Sequence, residues 1–178
     1  MKRSGSVLVV CHCVLNANTK IYPLARYAGV FIEALEDYLK RGVGLIQLPC
    51  PEVTYLGMYR WGMTREQYDH PRFRRHCREI FEPILDHLVA LDRAGCDIEG
   101  VVGMDGSPNC GVHTTCVGFT GGELDHRRVR SCLGNLRKIE RFGVFMAIVR
   151  EMLMQTGLQV RFGAVEEQGD NKGNEITW

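Results

Sequence analysis

Three short, apolar, β-branched runs, each breaking off in a turn that carries cysteine, constrain this chain more than any other feature. They cover residues 7–10, 43–48 and 98–104. They end respectively at Cys11-His12-Cys13, at Pro49-Cys50-Pro51-Glu52 and at Asp105-Gly106-Ser107-Pro108-Asn109-Cys110-Gly111. Such runs read as buried strands. Between them, apolar positions recur at three and four residues, the spacing of amphipathic helices. Leu24, Tyr27, Ala28, Phe31, Leu35, Tyr38 and Leu39 predict a helix over 24–39, closed by Gly42. Phe73, Cys77, Ile80, Phe81, Ile84, Leu85, Leu88 and Leu91 predict another over 72–93, capped by Asp69 and kinked or divided at Pro83. A helix over 139–156, a strand over 158–164 and a polar tail follow. Segments 53–70 and 112–134 read as irregular, and the first is long enough to be a binding loop.

Alternating strands and helices call for an α/β fold, a mostly parallel sheet flanked by helices. With 178 residues and no internal repeat or linker, the expectation is a single Rossmann-like domain over 1–178. Right-handed crossovers place every strand's C-terminal end on one edge, where ligands bind in such sheets. Neighbouring strands lie only about 4.8 Å apart. Cys13, Cys50 and Cys110, remote in sequence, are therefore expected to meet at one site.

Eight cysteines is a high number for a chain without a secretory signature. The apolar run after the basic start is too short for a signal-peptide core, and no run approaches the roughly 20 residues of a membrane span. The expectation is a cytoplasmic protein without a membrane partner, whose excess thiols point to metal or thiol chemistry rather than disulfides. A net charge of +1 gives no global attraction to nucleic acid. The clusters Arg72, Arg74, Arg75, Arg78 and Arg127, Arg128, Arg130 read as solvated surface, with phosphate binding the other option.

Thiolates select zinc, copper(I) or iron–sulfur centres. A closed structural zinc site needs four ligands, usually with paired C-x-x-C spacing, which this chain lacks. Three thiolates leave a coordination position open: at one iron of an iron–sulfur cluster, or at zinc bearing a water. Cys11 or His12 could close that position. Glu52 and Ser107, beside two of the thiols, are the groups suited to proton transfer, and Asp105 stands on the same edge.

Cys13-Val14-Leu15-Asn16, Cys50-Pro51-Glu52 and Ser107-Pro108-Asn109-Cys110-Gly111, in that order and spacing, resemble the motifs of the TudS-related desulfidases, whose prototype is 2-thiouracil desulfidase. The resemblance covers most of the chain. It implies an oxygen-sensitive four-iron, four-sulfur (4Fe-4S) cluster bound by Cys13, Cys50 and Cys110, with the substrate's sulfur captured at the iron lacking a protein ligand. It also implies that Glu52 and Ser107 form an acid–base pair assisting attack by water, with sulfur leaving as hydrosulfide. Cys11 and Asn109 stand where the family commonly has serines, and Asn16 where it has a glycine. The 54–70 segment also differs from the prototype. The expected substrate is thus a thiolated nucleobase, a nucleoside or a similar small thio-compound. Asn16, Trp61, Asp105 and Asn109 are the candidate substrate contacts.

Other readings compete. A zinc-dependent hydrolase could use the same thiolates, and a non-enzymatic iron–sulfur sensor or sulfur carrier would need no turnover. Cys77 falls on an apolar helix face and reads as core. Cys96, Cys116 and Cys132 carry no assigned role, and a homodimer is left open. Glu52 could instead cap a helix, and Ser107 could be a turn residue. Tyr55, Tyr59, Trp61 and Tyr68 read as loop aromatics that could stack on a flat heterocycle.

Overall fold

In the computed structural model, which describes residues 3–123, 125–166 and 175–178, the three runs are the first three strands of one parallel sheet. They are β1 (Ser6–Val10), β2 (Gly44–Gln47) and β3 (Asp97–Met104), and β6 (Phe162–Val165) joins them in the order β2-β1-β3-β6. Register runs from Val7 opposite Gly44 on one side of β1 to Val10 opposite Val102 on the other. The hydrogen-bond ladder continues just past the strands, with Leu48 N donating to Val10 O, Cys11 N to Val102 O and Asp105 N to Val165 O. All four strands thus end together, and the three cysteine turns leave from one edge.

Helices flank the sheet, as an α/β Rossmann-like architecture requires, among them α2 (Ile32–Lys40), α5 (Pro71–Arg93) and α7 (Val144–Gln155). Phe73, Phe81 and Leu88 of α5 and Phe145, Ile148 and Val149 of α7 are fully buried, in one core with Leu8, Val9, Val10, Val101 and Val102. Cys77 lies in that core, and burial pushes its thiol up to about 12. No described helix is long and apolar enough to cross a membrane.

Several expected boundaries move. The first long helix begins at Ile32, not at residue 24. Residues 21–31 are instead pinned to the β1 turn, with Ala17 N donating to Gly29 O and Phe31 N to Val14 O, and Leu24 is more than half exposed. Segment 53–70 holds two short helices, α3 (Pro51–Leu56) and α4 (Arg65–Tyr68), the latter opened by a Thr64–Gln67 capping box. The cap of α5 is His70, whose ring nitrogen accepts from Phe73 N, with Pro71 in the first turn. Asp69 pairs instead with Arg65 and Arg74. The helix runs undivided through Pro83.

Segment 112–134 is not irregular. It contains β4 (Thr114–Val117) and most of α6 (His126–Asn135), and β4 pairs antiparallel with β5 (Arg137–Glu140). Ile139, expected in the last helix, sits in β5 opposite Thr115, and α7 starts at Val144. The last strand is shorter than expected, and Ala164 is bridged by Thr177. The start at Met1-Lys2 and most of the polar tail lie outside the described residues.

Candidate metal and substrate site

Each cysteine turn is built by local bonding. After β1 the chain enters α1 (His12–Leu15), a single turn carrying Cys13, and the Tyr27 hydroxyl donates to Cys13 O at 2.9 Å. After β2, Cys50 caps α3 directly before Pro51, whose fixed φ starts the helix and aims Glu52 inward. After β3 the chain folds back so tightly that Met104 N donates to Cys110 O, and a Cβ on Gly103 would lie 2.2 Å from that oxygen. Only glycine allows this return.

The result is one cavity of about 660 Å³ lined by Cys13, Cys50 and Cys110 together with Glu52, Ser107 and Asp105. Cys11, fully buried, places its sulfur 3.6 Å from that of Cys13. A hydrogen bond from Cys11 draws the Cys110 thiol down, but burial and the charges of Cys13, Cys50 and Glu52 outweigh it and push Cys110 up to about 11. For Cys13 the hydrogen bond with Cys11, and then burial, raise the thiol well above its ordinary value, and burial also raises Cys50.

Glu52 is buried and held from both sides. Its Oε2 accepts from Arg60 Nε at 2.9 Å, and its Oε1 accepts from Asn109 Nδ2 at 3.1 Å. The same guanidinium donates through Nη2 to Thr19 O at 2.7 Å, joining the α3–α4 loop to the β1 turn. Among the described residues, Tyr68 Oη and Asn109 Oδ1 are buried without a hydrogen-bond partner, and both residues neighbour this carboxylate. Burial first, and the charge of Glu52 second, raise the Tyr68 phenol, so it remains a donor. With side-chain exposures of 4% for Arg60 and 11% for Glu52, this ion pair is effectively interior. Arg60→Ala is expected to cost about 3–5 kcal/mol, because it strands a buried charge. For a chain of this size that lowers the thermal midpoint by roughly 6–20 °C, measurable by differential scanning calorimetry.

Ser107 is a turn residue, one of its two expected readings, and it lines the cavity. Its Oγ accepts from Asn109 N at 3.2 Å and Cys110 N at 3.0 Å, so it shapes the cysteine turn while its own proton stays free to be donated. Asp105 is largely consumed by structure. Its Oδ1 accepts from the backbone N–H groups of Val112, His113 and Thr114, and its Oδ2 bonds His113 Nδ1 at 2.9 Å. Asn16 caps the following 3-10 turn, its Oδ1 accepting from Asn18, and does not line the cavity. Asn109 is fully buried and acts through Glu52 rather than on the cavity wall.

The aromatic group does not gather over the thiols. Trp61 is 85% exposed and off the cavity wall, Tyr59 is fully exposed, Tyr68 is buried, and Tyr55 packs edge-on against Phe73. His12 is half-buried with its pKa lowered by burial, and it too is off the wall. The Cys96 thiol donates to Asp97 O at the start of β3 and is off the cavity wall.

Sequence reasoning missed Arg60 as the partner of Glu52, and missed Cys116 and Cys132 as cavity-lining thiols. An apolar spacing over Val129, Cys132, Leu133 and Leu136 was the available signal for α6.

Cys13, Cys50 and Cys110 all line one cavity, and thiolates are the donors that soft metal centres take. Among the described residues, no group of three His, Cys, Asp or Glu side chains is arranged to hold a metal ion.

The uncharacterized protein MJ0003 of Methanocaldococcus jannaschii is 37% identical over 106 residues, an alignment spanning 60% of this chain and 67% of that one. No family model matches the chain, and no solved structure matches it.

Proposed function

The chain belongs to the same family as that archaeal protein, and we propose that it is an iron–sulfur-dependent desulfidase. It would act in the cytoplasm on a thiolated nucleobase, a nucleoside or a similar small thio-compound, as a TudS-related enzyme. The observation that carries this reading is the meeting of Cys13, Cys50 and Cys110, from three strand ends, in one cavity with Glu52 and Ser107.

Cys13, Cys50 and Cys110 would hold a 4Fe-4S cluster, which when bound supplies one iron without a protein ligand as a Lewis acid for the thiocarbonyl sulfur. Everything else is the work of the chain's own groups. Glu52, fixed by Arg60 and Asn109, keeps lone pairs on both oxygens to accept a proton from the attacking water. Ser107, its oxygen already occupied by two backbone N–H groups, can only donate towards the cavity. The overall change is balanced without an oxidant: water replaces sulfur at carbon, and sulfur departs as hydrosulfide.

Anaerobic purification followed by a panel of thiolated bases and nucleosides tests this. A brown protein with acid-labile sulfide that releases sulfide from one of the panel is the expected result. A colourless zinc protein with hydrolase activity would replace the reading. A second reading, a sensor or carrier, draws on Cys11, whose buried sulfur lies beside Cys13 and could close the open position. It predicts a bound cluster with no turnover of any panel member.

A further inference from the structure

We propose that the substrate carries an apolar substituent several carbons long, seated on a hydrophobic wall that α6 raises beside the thiols. This rests on the thio-compound reading and adds to it the class of molecule attached to the sulfur-bearing ring. Val129 and Leu133 of α6, and Leu136 directly after its end, line the same cavity as Cys13, Cys50 and Cys110. They remain 37%, 62% and 43% exposed, so they face open space rather than the core. Leu24, 58% exposed, lines the same cavity from the segment after the β1 turn.

Single exposed leucines need no explanation. Several of them on one cavity that also presents convergent polar groups form the pattern of a small-molecule site. Nearby, Lys138 and Glu166 are paired with one another. Size points the same way. A void of about 150 Å³ accepts a benzene ring, whereas this cavity measures about 660 Å³. One flat heterocycle fills only a part of that space, which leaves room on the α6 side for a further apolar group.

The test uses cluster-loaded protein under argon and 2-thiouracils bearing hydrogen, methyl, propyl or pentyl at ring carbon 6, with the matching uracils in parallel. Dissociation constants are expected to tighten about fourfold per added methylene in both series. Leu133→Asn, at an exposed position, is expected to cut the increment below about twofold while circular dichroism shows the fold retained. A flat series in both sets overturns the inference, as does an unchanged slope in Leu133→Asn. It is likewise overturned if sedimentation shows that this variant merely separates two copies of the chain, the wall then being their interface. Increments without sulfide release from any thio-compound would instead overturn the desulfidase reading and leave the apolar wall standing.

Discussion

A Cys110→Ala variant purified without oxygen is expected to emerge colourless and to lose nearly all its iron and acid-labile sulfide, whereas Cys77→Ala keeps both. The contrast follows from where the two thiols stand. Cys110 lines the cavity with Cys13 and Cys50, in a turn whose backbone is fastened by Ser107 Oγ and by Met104 N. Under the proposed function, removing its sulfur takes away one of the three thiolates that would hold the cluster. Cys77 is just as deeply buried, but among α5 side chains in the core. Its truncation costs about 1 kcal/mol of packing and should lower the thermal midpoint slightly without touching the metal. Cys13→Ala and Cys50→Ala are expected to behave like Cys110→Ala. Full iron in both Cys110→Ala and Cys77→Ala, read by metal analysis on folded protein, would show that the cluster assignment is wrong.

Glu52→Gln is expected to slow sulfide release by roughly 10²–10⁴-fold, the usual worth of a positioned acid–base group, with iron content retained. Glutamine keeps the size and one oxygen of the carboxylate, so either the Arg60 or the Asn109 hydrogen bond can persist. It cannot accept the proton of water. The substitution also leaves Arg60, a buried cation, without its counter-charge, and a drop in stability of a few kcal/mol accompanies the kinetic loss. The two effects separate experimentally. Arg60→Ala shares the lost ion pair but retains the carboxylate, so a rate loss confined to Glu52→Gln identifies proton transfer, while equal losses in both would reduce Glu52 to a structural role.

The parts that could be read before folding are the ones encoded locally. Residues 98–104 announce a strand because β-branched and apolar side chains follow one another up to a turn of Asp, Gly, Ser and Pro, and β3 differs from that expectation by one residue. The periodicity of Phe73, Cys77, Phe81 and Leu88 announces α5 with nearly its true ends. Where local signals conflicted, tertiary contacts won. The apolar spacing over 24–31 looked helical, yet that stretch is held by backbone bonds to Val14 and Ala17, which a helix would have forbidden. The 112–134 stretch looked irregular because its glycines mask a short strand that is stable only against β5.

The candidate site divides along the same line. The order of cysteine turns, the glutamate two residues after Cys50 and the serine three before Cys110 are properties of the string of residues, and with the alternation of strands and helices they predict a shared edge. Which strands lie side by side, that Arg60 and Asn109 grip Glu52 from 8 and 57 residues away, and that α6 lines the cavity were decided only by folding. Periodicity records which face of an element is buried, because that depends on neighbours three or four residues apart. It does not record which distant group meets that face, because a hydrogen bond or ion pair between remote residues has no period and is chosen by the packing of the whole chain.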